Sequence, residues 1–413
     1  MNDRAKIKIL HVQLFPMLSG VQRVTLEELR RLDPNIYDRH LLTCEPGPLT
    51  DAAQQMGVTC HSESRLIRSL SPLNDYKAYC GLRDLMRKHR FDIVHTHSSK
   101  TGVLGRLAAA AAGVPHVVHT VHGFAFPAAR RAAVRRFYQW CERRCGKVTD
   151  ALVCLNPNDR QIAIDDLGID PRRVHLIPNG VDTTQFKPHS DADLRHRLRR
   201  ETLPGDAGLP VVMMVGRLWN QKNPLAFVQA AIEILGRGVR AEFYLVGEGD
   251  LRPRLEQEIA AAGCGDRIHL LGWRDDVAAL LPLADVMVLP SLWEGMPLVL
   301  LESQSSAVPV VASNIPGNRE CVNDGVDGYL VPPRDIVELA QRIGELIQDD
   351  ELRRRMGATA REKVIAQFDI RQRFATMTDI YAQMMGRAQA ARTPVLGDLA
   401  SDTAHSHASS AAR

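Results

Sequence analysis

Short apolar runs recur along nearly the whole 413-residue chain, and each is followed by a helical pattern. In the first half they are Ile7–Val12, His40–Cys44, Asp92–His97, Val117–Phe124, Ala151–Leu155 and Val174–Ile177. In the second half they are Val211–Val215, Glu242–Val246, Ile268–Leu271, Val286–Leu289 and Pro309–Ala312. Runs this short and this apolar suit strands covered by helices on both faces, and so parallel sheets. The chain is too long for one typical core, so the alternation predicts two α/β domains. The first should end near Lys187, before the polar stretch from His189 to Gly208. Helices are expected at Asn156–Leu167, opened by Asn156-Pro157, and at Asp335–Gln348, Glu351–Gln367 and from Asp369 onward. Beyond Gly386 the Ala/Ser/His/Thr-rich tail is expected to be disordered.

Bulk composition excludes several classes. Hydrophobic content of 45% and charged content of 24% are ordinary for a globular protein, and a net charge of +4 decides little. No apolar run approaches the roughly 20 residues of a spanning helix. The N-terminus runs straight into a strand without a signal-peptide pattern, which points to the cytoplasm. The eight cysteines lack CxxC pairs and recurring spacing, which argues against a disulfide framework or a zinc site.

Chemistry concentrates where strands end. After Val286–Leu289 the chain turns through Pro290, Gly295 and Pro297 and enters a helix from Leu298. Glu294 lies on this loop and Glu302 in the helix that follows. A helix N-terminus offers amides and a positive dipole to phosphate, while carboxylates accept hydrogen bonds from sugar hydroxyls. The stretch therefore reads as a sugar–phosphate pocket or as a plain βα turn, and by itself it does not choose. Gly20 stands at another strand-to-helix junction, where a ligand could approach the backbone. After Val211–Val215, Arg217 and Lys222 sit five apart in a loop that opens a helix, a pairing suited to a diphosphate. Trp273 and Arg274 follow the Ile268–Leu271 strand and could flank a base, although Trp273 could equally be core.

His95, His97, His119 and His122 all lie near strand C-termini, where open α/β sheets bind ligands. No carboxylate accompanies them at ligand spacing, so polar lining of a site outranks a metal centre. His122 is the leading candidate, because Gly123 frees the backbone behind it. The segment from Arg130 to Lys147 holds seven basic residues and one acidic residue. Ala133, Phe137, Trp140 and Cys141 fall at helical spacing within it, among Arg130, Arg131, Arg135, Arg136, Arg143 and Arg144. It reads either as a basic amphipathic helix for an anionic membrane or acidic acceptor, or as a solvated helix packing its aromatic stripe on the core. Nothing resembles a nucleic-acid motif.

Taken together, these elements resemble the retaining glycosyltransferases of family 4. The likeness runs from Ile7 to about Met385 and rests on order and spacing. Its parts are Ser19-Gly-Val-Gln22, Val121-His-Gly-Phe124, Pro178-Asn-Gly-Val-Asp182 and Gly216-Arg-Leu…Lys222. Glu294-Gly-Met-Pro-Leu…Glu302, Gly317…Glu320 and Asp324-Gly…Gly328 complete it. The resemblance implies the GT-B fold, an α/β architecture of two Rossmann-like domains facing a cleft. Residues 1–187 would form an acceptor-binding domain and 188–368 a nucleotide-sugar domain; 369–388 would cross back to the first domain, and 389–413 would be the tail.

The resemblance also implies roles. Arg217 and Lys222 would bind the donor diphosphate, with Gly20 letting the N-terminal loop close over it. Gly295 and the amides around Met296 and Leu298 would hold phosphate. Glu294 would contact hydroxyls of the moving sugar, Glu302 the ribose, and His122 the reaction centre. Relatives need no metal or other cofactor. Leaving-group departure would make an oxocarbenium-like sugar, the cations would stabilise the diphosphate, and a phosphate oxygen would take the acceptor proton. The Val94–Arg106 and Val118–Phe126 segments look like the bacterial branch that builds surface polysaccharides on polyprenyl-diphosphate carriers. The expected activity is transfer of a hexose or N-acetylhexosamine from a UDP-sugar to such an acceptor, with possible contact at the inner membrane face. GDP-mannose is the competing donor. A nucleotide-sugar 2-epimerase or hydrolase, or a non-catalytic nucleotide-sugar sensor, are the rival classes.

Overall fold

A computed structural model describes residues 6–124, 126, 131–189 and 191–386. Arg130 and the proposed tail lie outside the described residues. The first sheet contains β1 (Ile7–Val12), β2 (Tyr37–Thr43), β3 (Thr59–Ser62), β4 (Ile93–His97), β5 (His116–Val121), β6 (Ala151–Cys154) and β7 (Val174–Leu176). Its order is β3-β2-β1-β4-β5-β6-β7, and every pairing is parallel. The second contains β8 (Val211–Val215), β9 (Glu242–Val246), β10 (Ile268–Gly272), β11 (Val286–Leu289), β12 (Val310–Ser313) and β13 (Gly328–Val331). Its order, β10-β9-β8-β11-β12-β13, repeats the same parallel winding. In each sheet the order reverses beside the first strand, so a crevice opens at β1/β4 and at β8/β11.

Two strands escaped the periodicity, and both are edges. β3 is half exposed and polar, Thr59-Cys-His-Ser62, and β13 lies in a turn-rich segment. An edge strand lacks the two-sided burial that makes a run continuously apolar. The helix expected over Asn156–Leu167 is an α-helix only at Pro157–Gln161 and continues as one π turn, Ile162–Asp166.

The polar stretch after Lys187 contains a helix, Ala192–Thr202, that docks on the second domain. Arg195 and Arg199 donate to Asp285 there at 2.9 and 2.6 Å. The last helix, Ile370–Met384, returns to the first domain. Its Met377, Ile380 and Tyr381 join Ile7, Ile9, Tyr37 and Ile93 in one buried cluster.

The basic helix spans Ala132–Gly146, and its aromatic stripe does not pack on the core. Phe137 and Trp140 are 50% and 55% exposed. The buried face is instead Glu142, Cys145 and Gly146, with Glu142 accepting from the buried Arg106 at 2.7 Å. That ion pair lies inside the fold, and desolvated charges stay there only when matched, so it fixes the helix rotation and turns the stripe outward.

Candidate active site

A cleft of about 1280 Å³ lies between the two sheets, against the C-terminal ends of their strands. Gly20, His122, Arg217, Lys222, Trp273, Arg274, Glu294, Gly295, Met296, Leu298 and Glu302 all line it. Residues drawn from both halves of the sequence thus meet on one surface.

The second domain supplies most of the polar groups. Lys222 Nζ donates to Glu294 Oε1 at 2.6 Å, and Ser291 Oγ donates to the same oxygen at 2.8 Å. The pair is half-buried, so each charge is held in place by the other. Glu302 sits in the helix Leu298–Ser305, whose first residue Leu298 faces the cleft. Burial pushes the Glu302 carboxyl up to about 7, and Arg23 and Lys222 pull it down. Burial and the neighbouring Arg68 hold the Arg217 pKa below the usual guanidinium range. Trp273 is 48% exposed in the cleft wall, which removes its core reading. Arg274 is pinned to Asp276 by two bonds of 2.7 and 2.5 Å, an arrangement that limits its reach.

The first domain supplies His122 and Gly20. His122 is the first residue beyond β5, followed by Gly123 at φ +96°, a backbone conformation that favours glycine. Burial, with the Arg373 charge, pushes the His122 pKa down to about 3, so the ring is neutral at physiological pH. A Cβ on Gly20 would meet no protein atom within 4 Å, so the space beside it belongs to the cleft. At Gly295 the opposite holds. A Cβ there would stand 2.7 Å from the His122 carbonyl, because the loop after β11 and the loop after β5 touch backbone to backbone.

The other three histidines do not line the cleft. His95, His97 and His119 are buried beneath its wall, since every β4 residue and all but the first of β5 are covered on both faces. Nor do they lack a carboxylate. Glu28, from the helix Gly20–Arg31, brings Oε2 within 3.8 Å of His95 Nδ1 and 4.0 Å of His11 Nδ1. Helical periodicity hid it, because no local spacing links Glu28 to strands formed far along the chain. His11, Glu28, His95 and His97 hold ligand-type atoms within 4.8 Å of one another. However, His95 already engages Tyr381 at 2.6 Å and Thr120 at 2.8 Å, and Glu28 accepts from Arg373 at 2.9 Å.

Four further functional residues were not legible. Arg23 and Arg68 bring cations from the first domain into the cleft. The guanidiniums of Arg68 and Arg217 lie over the Trp219 ring, each 4.6 Å from its centroid. Asn156 donates to the Gly295 carbonyl at 2.9 Å and Asn179 to the Met296 carbonyl at 2.7 Å, tying the first domain to the loop after β11. Asn179 stands in the Pro178–Asp182 part of the family likeness and Asn156 at an expected helix start, but neither carried a role in the cleft.

Known proteins resemble this chain in sequence and in fold. Residues 18–185 match the family described as Glycosyltransferase Family 4, and residues 209–349 match Glycosyl transferases group 1. The chain is 42% identical over 391 residues to a UDP-Gal:alpha-D-GlcNAc-diphosphoundecaprenol alpha-1,3-galactosyltransferase of Escherichia coli, covering 93% of this chain and 99% of that one. It is 30% identical over 251 residues to an alpha-D-kanosaminyltransferase of Streptomyces kanamyceticus, covering 60% and 64%. Among solved structures, Anabaena HepE with UDP and glucose superposes with a TM-score of 0.77 at 20% identity, over 91% of this chain and 100% of that one. WaaG, a glycosyltransferase of lipopolysaccharide biosynthesis, gives 0.70 at 18% identity over 90% and 99%.

Proposed function

The chain belongs to glycosyltransferase family 4, and from that premise we propose that it transfers a hexose from a UDP-sugar to a saccharide carried on a polyprenyl diphosphate. Galactose is the first sugar to test, followed by glucose and the N-acetylhexosamines, with GDP-mannose as the alternative donor. The observation that carries this reading is the charge layout of the cleft. Arg23, Arg68, Arg217 and Lys222 line the cleft from both domains, together with Leu298 at the start of the Leu298–Ser305 helix. Glu294 and Glu302 lie next to them as hydroxyl acceptors. A diphosphate flanked by a ribose and a hexose has this same order of groups.

Each side chain then has a task. Arg217 and Lys222 hold the diphosphate and stabilise the charge it gains as the glycosidic bond breaks. Before the donor arrives, Glu294 compensates the Lys222 charge. With donor bound, Glu294 also accepts from a hydroxyl of the moving sugar. Glu302 accepts from the ribose, and the amides near Gly295, Met296 and Leu298 cradle phosphate. His122, neutral, faces the sugar and offers a hydrogen bond rather than a charge. Trp273 flanks the base. In this reading Glu294, bonded to Lys222 and Ser291, and Glu302 serve hydroxyls rather than attack carbon, and a phosphate oxygen of the departing diphosphate takes the acceptor proton on the same face. That course retains the anomeric configuration and needs no metal. The alpha-1,3 product named for the Escherichia coli relative is what such a course yields from an α-linked nucleotide sugar.

The exposed stripe of Phe137 and Trp140, flanked by Arg131, Arg135, Arg136, Arg143 and Arg144, is the surface for an anionic membrane that carries the acceptor. A transfer assay tests the whole reading. Labelled UDP-galactose, UDP-glucose, UDP-N-acetylglucosamine and GDP-mannose are each offered with a synthetic GlcNAc-diphosphate-polyprenol, with and without chelator. Chelator-resistant transfer of one UDP-sugar, giving an α-linked product by NMR, is expected. Conversion of a donor without acceptor would move the assignment to an epimerase, and saturable binding of none of them would remove the donor assignment.

A further inference from the structure

Behind the cleft wall, three imidazoles from three separate elements form a line. His122 Nε2 lies 3.4 Å from His97 Nδ1 on β4, and His97 Nε2 lies 3.1 Å from His11 Nδ1 on β1. His11 and His97 are fully buried. Burial lowers the pKa of all three, to about 3 for His11 and His122 and well below the usual range for His97. Each ring is therefore neutral, with one N–H and one lone pair. Three such rings in series have two consistent proton arrangements: every N–H points toward the cleft, or every N–H points away.

One observation at the far end, the unpartnered His11 Nε2, selects the first. Glu28 Oε2 stands 4.0 Å from His11 Nδ1 and has no hydrogen-bond partner, while Oε1 accepts from Arg373 at 2.9 Å. Burial raises the Glu28 pKa while the Arg373 charge lowers it, so Glu28 does not choose between the two arrangements. His11 Nε2, by contrast, has no partner. With the proton on Nδ1 that orphan is a lone pair; with the proton on Nε2 it would be a buried unpaired N–H, which is rarer and costlier. His11 Nδ1–H then donates to His97 Nε2, and His97 Nδ1–H donates to His122 Nε2.

We propose that His97 is a positioning residue for the transfer: backed by His11, it holds His122 as the Nδ1–H tautomer, whose free donor serves an oxygen of the transferred sugar. The tautomer of an imidazole is set by the bond its other nitrogen makes, and for His122 that bond runs to His97. Arg373 also holds the Ile177 and Pro178 carbonyls at 3.0 Å each, and Tyr381 of the same helix meets His95 Nδ1 at 2.6 Å. This rests on the reading that His122 stands at the sugar.

Ring-selective proton–nitrogen NMR on the full chain, labelled in histidine, tests it. Wild type should show His122 protonated on Nδ1. His97→Phe keeps a ring but removes both nitrogens; it should shift His122 toward the Nε2–H form and lower kcat about tenfold or more, with the UDP-sugar KM within about twofold. His97→Asn, whose amide can donate to His122 Nε2, should recover much of the loss. Should His97→Phe fail to fold, the wild-type spectrum decides by itself. An Nε2–H tautomer of His122 in wild type, or a His97→Phe enzyme with unchanged kcat and tautomer, overturns the proposal. If His122→Ala leaves kcat unchanged, it is the placement of His122 at the sugar that fails instead.

Discussion

Lys222 and Glu294, 72 residues apart, share one hydrogen bond of 2.6 Å at the floor of the cleft. Each stands on the loop after an inner strand of the second sheet, β8 for the lysine and β11 for the glutamate, and these strands pair directly. The bond makes the two residues one unit, so their variants should not behave independently.

Lys222→Ala should lower kcat/KM by about a hundredfold, because it removes transition-state charge and leaves Glu294 uncompensated. Glu294→Ala should cost less with a truncated donor that lacks the relevant hydroxyl. The double variant should lose markedly less than the two single losses combined. Additive losses in steady-state kinetics would break the link between the two residues.

Glu302 gives the donor site a pH dependence. Its carboxyl is pushed up to about 7, chiefly by burial. Ionised, it accepts from two hydroxyls; protonated, it loses part of that capacity. The UDP-sugar KM should therefore rise as pH falls, by up to about eightfold between pH 7.5 and pH 6, the ratio of ionised fractions for a group of this pKa. Glu302→Gln should bind donor weakly and flatten the profile over that range. An unchanged slope in the variant assigns the titration elsewhere.

Asn179 holds the donor-side loop to the first domain through the Met296 carbonyl. Asn179→Ala should weaken that contact by about 1–2 kcal/mol and raise the donor KM more than it lowers kcat. Small-angle scattering should show a wider cleft in the absence of donor. Asn156→Ala should also lower Tm, because its Oδ1 caps the Pro157–Gln161 helix at Asp159 N–H, 2.8 Å away.

The basic helix predicts salt-sensitive vesicle binding. Phe137→Ser with Trp140→Ser should reduce cosedimentation with anionic vesicles about tenfold or more, while transfer to a short water-soluble acceptor stays near wild type. Arg135→Glu with Arg136→Glu should reduce binding further at low salt than at high salt. Equal binding of wild type and the aromatic variant would remove the membrane role.

Much of this was legible before any coordinates. The doubly buried strands announced themselves by continuous apolarity, and the residues just beyond them, such as Gly20, His122, Arg217 and Glu294, had to gather at one end of each sheet. The failures share a cause. β3 and β13 are edges without two-sided burial, and Arg68 lies on a loop with no motif. Whether the stripe of Phe137 and Trp140 faced the core or the solvent was undecidable from spacing, because periodicity gives a face but not what covers it.

By itself, then, the sequence determined two parallel α/β units and which loops carry the polar groups, because a βα repeat forces each loop after a strand to the same edge. Tertiary structure decided what those loops meet. The Arg106–Glu142 pair set the rotation of the basic helix, and Asn156 and Asn179 brought Gly295 against His122. The helix Ile370–Met384 carried Arg373 to Glu28, and the pairing of β1, β4 and β5 brought a line of neutral histidines to the cleft. Such contacts span tens to hundreds of residues, and they form only where burial makes an unpaired polar group too costly to leave alone.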